Sequence, residues 1–400
     1  MNDKELGLIH KLLTKKLRKK TLPLSEPLLS NEDIASVTKA IKEKSVSSAY
    51  GNFTENFENK IKKYTKAKHV IALINGTCSL QIALLASGLK KNQEVLLPAL
   101  NFIASCNAIL YCGGVPHFVE VNNKDLGIDY DKLKNYLEKN TKVIKKNCIN
   151  KKTNRIIKFI MPTHVFGHIG NMEKLKSLAK KFKINIIEDA SEALGSFYKK
   201  KHAGTFGDAG ILSFNGNKII TTGSGGAILT NDKILAKRIR HISSTARVKK
   251  TWQFYHDEIG YNYRMPNLNA ALGASQIRTL NIKLKKKRLL FNEYLKIFKL
   301  TDNFYVFKEP KNCKSNYWLQ TIVIKSKNID KRKNIISYFK SKKIEVRPIW
   351  KVLTSLKFLK GFPKMKIQEA FKLEKKLLNF PSSSYLWKKK PILIIGAGGH

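Results

Sequence analysis

The segment Ser213-Phe214-Asn215-Gly216-Asn217-Lys218-Ile219-Ile220, continued by Thr221-Thr222-Gly223-Ser224-Gly225-Gly226, joins two short apolar runs, 209–214 and 226–229. Each run has the length and composition of a buried strand. Lys218 therefore falls just past a strand end, and the glycines after it give the backbone room to turn. In a chain with 76 lysines and arginines, its position singles it out rather than its residue type. A lysine held in a partly apolar pocket has a lowered pKa and can form a Schiff base with a carbonyl carbon. Ser213, on the strand itself, can donate to a phosphate.

Working outward, five more strand-like runs precede this segment, at 69–74, 94–97, 115–121, 156–161 and 184–187. Helical periodicity fills several of the gaps, as at 172–183. Such alternation predicts an α/β large domain, 21–255, built on a mostly parallel sheet of seven strands. Ligands of such sheets bind at the carboxyl ends of the strands. The polar clusters lie there: Asn75-Gly76-Thr77, Glu188-Asp189 and Asn215 to Lys218. A basic helical stretch, 266–298, then leads to strands near 317–324 and 343–347 around a helix at 331–342, which predicts a smaller C-terminal α/β domain, 256–387. Ahead of both, residues 1–20 form a basic amphipathic extension with Leu6, Ile9, Leu13 and Leu17 on one stripe. That stripe suits packing on the body or lying on a membrane surface. At the far end, 388–400 reads as the truncated start of a further domain: a basic break, a strand-like run from Pro391, then Gly396-Ala397-Gly398-Gly399-His400 opening a glycine-rich turn.

An apolar fraction of 42% with 10% aromatics is that of a globular enzyme. Lys+Arg 76 against Asp+Glu 29 gives a formal net charge of +47. Such a surface suits nucleic acid, yet the lysines are spread along the whole chain and no nucleic-acid motif accompanies them. A diphosphate-bearing substrate would also be steered by that field. The five cysteines, Cys78, Cys106, Cys112, Cys148 and Cys313, show neither paired nor metal-ligand spacing, so no metal is expected, and their odd number suits a reducing compartment. Asp3, Lys4 and Glu5 with no apolar core after them do not make a signal peptide, and no apolar run is long enough for a spanning helix. The expected location is the cytoplasm.

Read alone, each polar cluster keeps more than one meaning. Asn75-Gly76-Thr77 opens a helix, where free N–H groups hold phosphate; taken alone, the segment is more simply a plain strand-to-helix turn with a cap. Asp189, in Glu188-Asp189-Ala190-Ser191-Glu192, stands where a strand delivers a carboxylate into a crevice. It could keep a pyridine nitrogen protonated and make the ring an electron sink, or serve as a Mg²⁺ ligand or a structural cap.

In this order and spacing the three segments resemble the DegT/StrS-type sugar aminotransferases, a branch of the fold-type I pyridoxal-phosphate enzymes. The resemblance runs over about residues 22–386 and includes Pro23-Leu24-Ser25-Glu26-Pro27, Val46-Ser47-Ser48, Pro98-Ala99-Leu100-Asn101-Phe102, Pro162-Thr163-His164-Val165-Phe166-Gly167, Gly260-Tyr261-Asn262-Tyr263-Arg264 and Arg347-Pro348-Ile349-Trp350. It implies pyridoxal 5'-phosphate as cofactor, bonded to Lys218, with Asp189 on the pyridine nitrogen and Phe102 against the ring face. Gly76, Thr77 and Ser213 would hold the phosphate, and Asn262 would reach that of the neighbouring subunit in a homodimer with shared sites. Arg264 and Arg347 would hold anionic groups of the donor or the nucleotide sugar, and His164 would line the substrate site or stand as a satisfied structural histidine. Glu192 departs from the glutamine frequent in the family beside the phenolic oxygen, and its hydrogen bond there needs a proton on one side. Dehydratase relatives carry histidine where Lys218 stands, so lysine favours amino transfer.

Within the family, 148–153, 212–222 and 256–264 are most similar to 4-aminotransferases of bacillosamine and legionaminic acid biosynthesis. The implied substrates are glutamate and a UDP-linked 4-keto-6-deoxy-N-acetylhexosamine, and the tail resembles the start of sugar N-acetyltransferases. A dehydratase or isomerase on the same cofactor, and a nucleic-acid-binding protein, are the alternatives.

Overall fold

The computed structural model describes residues 3–17, 21–248 and 252–386. The expected further domain at 388–400 and the lysines at the end of the leader lie outside the described residues. Seven strands run side by side in the order His69–Leu73, Gly226–Thr230, Ala209–Ser213, Asn185–Asp189, Ile156–Ile160, Glu94–Pro98, Val115–Val119. Gly226–Thr230 is antiparallel to both neighbours, and the remaining adjacent pairs are parallel. All seven correspond to runs read from the sequence. Glu94–Pro98 and Val115–Val119 are buried at every position, as strands covered on both faces must be.

A hairpin, Thr141–Ile144 with Asn147–Asn150, adds antiparallel to Ile156–Ile160 and brings the sheet to nine strands. Its apolar content is too thin to read as a strand pair, because most of Thr141–Ile144 faces solvent. What seats it is a buried carboxylate. Glu94 accepts hydrogen bonds from Asn150 Nδ2 at 3.0 Å and Thr153 Oγ1 at 2.6 Å, and lies 2.7 Å from His117 Nδ1.

The crossover helices follow the 3.6-residue period. In Met172–Phe182, Leu175, Leu178, Ala179 and Phe182 are buried on one stripe. Asn171 caps that helix by accepting the Lys174 N–H, and Lys183 ends it in the left-handed conformation. A second apolar core surrounds a four-stranded sheet ordered Phe304–Val306, Gln320–Ile324, Leu377–Phe380, Arg347–Pro348. The helix Leu280–Phe298 supplies Leu290, Phe291, Tyr294, Ile297 and Phe298 to it. The leader helix Asp3–Leu17 buries Leu6, Ile9, Leu13 and Leu17 in the same core, against Leu280–Phe298 and Arg332–Ser341. Its stripe is thus covered by the body of the chain. No helix among the described residues is long and apolar enough to cross a membrane.

Candidate active site

The carboxyl ends of the parallel strands, the turn after Ala209–Ser213 and the edge of the smaller sheet enclose a cleft of about 540 Å³. Eight of the residues expected at the site line it: Gly76, Thr77, Phe102, Asp189, Glu192, Ser213, Lys218 and Arg347.

Gly76 opens the helix Gly76–Ala86, whose cap Asn75 accepts the Cys78 N–H at 2.8 Å. A side-chain carbon on Gly76 would meet Ser213 Cβ at 3.1 Å, Ser213 Oγ at 3.2 Å and Ser191 Oγ at 3.6 Å. Glycine therefore keeps open a hollow walled by two hydroxyls at a helix N-terminus. Donor hydroxyls, unpaired N–H groups and the helix dipole are the chemistry that holds a phosphate monoester. Phe102 stands at the start of the helix Ile103–Tyr111 with its ring half exposed, tilted against Trp350 at 6.0 Å. It offers a flat apolar face to a planar ligand.

Asp189 ends its strand with its carboxylate buried. Ser105 Oγ donates to Oδ2 at 2.5 Å and the Ser191 N–H donates to Oδ1 at 3.1 Å. Two fixed donors orient the group. Lys218 lies in the turn closed by its own N–H to the Asn215 carbonyl at 3.0 Å. Its Nζ is 3.8 Å from Glu192 Oε1 and 3.6 Å from the centre of the Trp318 ring. Burial pushes the Lys218 amine below the usual lysine range, against the pull of Glu192 and Asp189. Burial also pushes the Glu192 carboxyl up to about 7, opposed by the Lys218 charge and by the Phe166 N–H donating at 2.8 Å. Phe166 delivers that N–H from a left-handed backbone, φ 54°, a conformation uncommon for a bulky L residue. An aldehyde-bearing pyridine phosphate fits these residues: amine, acid and phosphate hollow converge on one cleft.

Three expected residues stand apart. His164 is buried, but its Nε2 faces Glu188 Oε2 at 3.0 Å and it is not part of the cleft wall. Successive strand residues point to opposite faces, so Glu188 leaves the side that Asp189 serves. His164 follows Glu188, together with the N–H groups of Gly204 and Gly207. Of its two readings, His164 sits here as the satisfied structural histidine and not as a residue of the cleft wall. Asn262 and Arg264 are exposed on a segment bridged to Ser244 and Leu73, and neither lines this chain's own cleft. Conversely, Ser105, Ser191, Thr163, Trp318 and Asn379 belong to the site or its support and were not singled out. Ser105 is one helical turn past Phe102, a spacing that could have drawn attention; Trp318 carries no such signal. His241, Asp257 and Glu258 lie close enough to share an ion, but Arg238 already pairs with Glu258 and none of the three borders the cleft.

A mostly parallel sheet presenting a lysine and a carboxylate beside a phosphate hollow defines the fold-type I class of pyridoxal-phosphate enzymes. The chain belongs to the DegT/DnrJ/EryC1/StrS aminotransferase family, whose model matches residues 27–390. It is a sugar aminotransferase that uses pyridoxal phosphate and acts on nucleotide sugars. It is 35% identical over 331 residues to GDP-perosamine synthase of Escherichia coli O157:H7, covering 83% of this chain and 85% of that protein. It is 34% identical over 297 residues to the UDP-4-amino-4,6-dideoxy-N-acetyl-beta-L-altrosamine transaminase of Campylobacter jejuni serotype O:23/36 (strain 81-176), covering 74% of each. Among solved structures, Helicobacter pylori PseC, an aminotransferase involved in the biosynthesis of pseudoaminic acid, superposes with a TM-score of 0.81 at 25% identity, over 90% of this chain and 93% of that one.

Proposed function

We propose that the protein transfers an amino group from glutamate to C4 of a UDP-linked 4-keto-6-deoxy-N-acetylhexosamine, as in making bacillosamine- or legionaminic-acid-type sugars for surface glycans. The observation that carries the amino-transfer chemistry is the convergence of Lys218, Asp189 and the Gly76–Ser213 hollow on one cleft, and the resemblance to UDP-sugar transaminases supports the choice of substrate. When bound, pyridoxal phosphate supplies a ring that takes up the electron pair left when the donor's Cα–H bond breaks. Gly76, Thr77 and Ser213 would hold its phosphate, Phe102 would fix its plane, and Asp189, oriented by Ser105 and Ser191, would keep its nitrogen protonated. Lys218 would hold the cofactor through its amine. When free, its amine would take the proton from Cα of glutamate in the first half-reaction and deliver one to C4 of the sugar in the second. Burial lowers the basicity of this amine. Arg347, at the cleft wall, offers a guanidinium fork to a carboxylate or diphosphate.

Asn262 and Arg264, exposed and outside their own cleft, are assigned to the cleft of a second subunit in a homodimer. Lys218→Ala and Asn262→Ala chains, each deficient alone, should regain activity when mixed; no recovery would count against shared sites. A GDP-linked 4-keto-6-deoxyhexose is the second reading, favoured by the name of the Escherichia coli relative. Both are separated by one experiment. With ¹⁵N-glutamate and a panel of UDP- and GDP-4-ketosugars, mass spectrometry should find the label in a UDP-sugar. Label in a GDP-sugar alone would select the second reading, and label in neither would sink both.

A further inference from the structure

We propose that Trp318 is a further residue of the reaction site, holding the freed Lys218 amine as an ammonium against its indole face, and that Lys287 positions it. This rests on the role given to Lys218 above.

The Lys218 Nζ lies 3.6 Å from the centre of the Trp318 ring, well inside the range of a cation–π contact. The Glu192 oxygen, at 3.8 Å, is beyond hydrogen-bond length. The difference matters chemically. Once the amine's lone pair has taken the Cα proton, the electron pair of the broken C–H bond stays with carbon and the positive charge stays on nitrogen. A carboxylate at hydrogen-bond distance could take that proton away. An indole face attracts the charge and has no site to accept the proton, so it remains on Nζ for return to carbon. The charged groups facing this amine are Glu192 and Asp189, with Arg347 on the cleft wall.

The indole is clamped in place. The Trp318 backbone N–H donates to Asn316 Oδ1 at 2.8 Å, its Nε1–H donates to the Asn217 carbonyl at 2.7 Å, and its carbonyl accepts from Lys287 Nζ at 2.7 Å. Asn316 also donates to the Glu192 carbonyl at 2.8 Å, tying the roof to the floor. Lys287 makes its other bond to the Ser382 carbonyl at 2.6 Å. It is buried and burial pushes its amine down to about 7. A neutral amine has two N–H groups, and the structure gives it two carbonyls. Lys287 therefore pins the Trp318 and Ser382 carbonyls together, and methionine in its place would leave both bare.

Trp318→Leu keeps an apolar roof without a π face. We expect it to lower kcat about tenfold, with a smaller change in KM, and to move the acid limb of the kcat profile to lower pH. The visible-absorbance titration of the bound cofactor, recorded without substrates, should move the same way, whereas Trp318→Phe should retain most of both. Lys287→Met should reduce kcat and alter tryptophan fluorescence in the cofactor-loaded protein; where it does not fold, Trp318→Leu decides alone. A Trp318→Leu enzyme with the parental kcat and titration would overturn the inference. If the parent itself shows no lysine-bound absorbance and no amino transfer, the reading of Lys218 has failed instead.

Discussion

At the scale of single residues, the site depends on groups whose chemistry is altered by burial. Lys218→Ala is expected to abolish both amino transfer and the visible band of the lysine-bound cofactor, read in one spectrophotometer trace. Ser105 has no reacting atom, yet its hydroxyl is the buried donor to Asp189 Oδ2. A hydrogen bond to a charged group contributes about 1.5 kcal/mol or more. Ser105→Ala should accordingly weaken cofactor binding by roughly tenfold, measured by equilibrium titration of the apoprotein, while Ser105→Thr should largely preserve it. Ser105 could be read from the sequence only as a small helical residue. Its partner lies 84 positions away, and no local pattern encodes that distance.

At the scale of elements, two attachments hold the outer parts of the chain to the frame. Glu120 is buried and its carboxylate accepts the N–H groups of Gln368, Glu369 and Ala370, at 2.5, 2.8 and 3.1 Å, at the start of the helix Glu369–Lys376. It serves as a cap from a remote strand end, favoured by the helix dipole. Glu120→Ala should cost about 2 kcal/mol or more, seen as a lower midpoint in denaturant unfolding; an unchanged midpoint would remove the cap from the account. Ile9, fully buried in the second core, tests the leader in the same way. Ile9→Ala should cost about 2–4 kcal/mol. A leader that instead lay on membranes would tolerate the change in solution.

At the scale of the whole molecule, the charge balance of +47 and the buried bases act together. Burial pushes His168 and His202 down to about 4, Lys283 to about 8 and Lys287 to about 7. Each folded-state value lies below that of the unfolded chain, so the unfolded chain binds more protons between the two. Stability from the histidines is complete above about pH 6.5 and is lost as pH falls toward 4; that from the lysines grows as pH rises from about 7 to 10. Glu192, raised to about 7, opposes this between its unfolded value and neutrality. The melting temperature of the apoprotein should thus climb from about pH 5 to about pH 9, and added salt should raise it further by screening like charges. A flat profile measured by differential scanning fluorimetry would contradict the burial of these groups.

By itself the sequence determined the seven main strands, their alternation with helices, and the positions of Gly76, Asp189, Ser213 and Lys218 at strand ends. Those features are local: an apolar run, a period and a turn are written within a few consecutive residues. The tertiary structure alone decided that Trp318 from the far half roofs Lys218, that Ser105 serves Asp189, and that His164 turns to Glu188 instead of the cleft. It also decided that Asn262 and Arg264 stay outside their own site. Each of these rests on which distant side chain shares a face or a buried donor, and that is fixed only when the sheet closes its neighbours together.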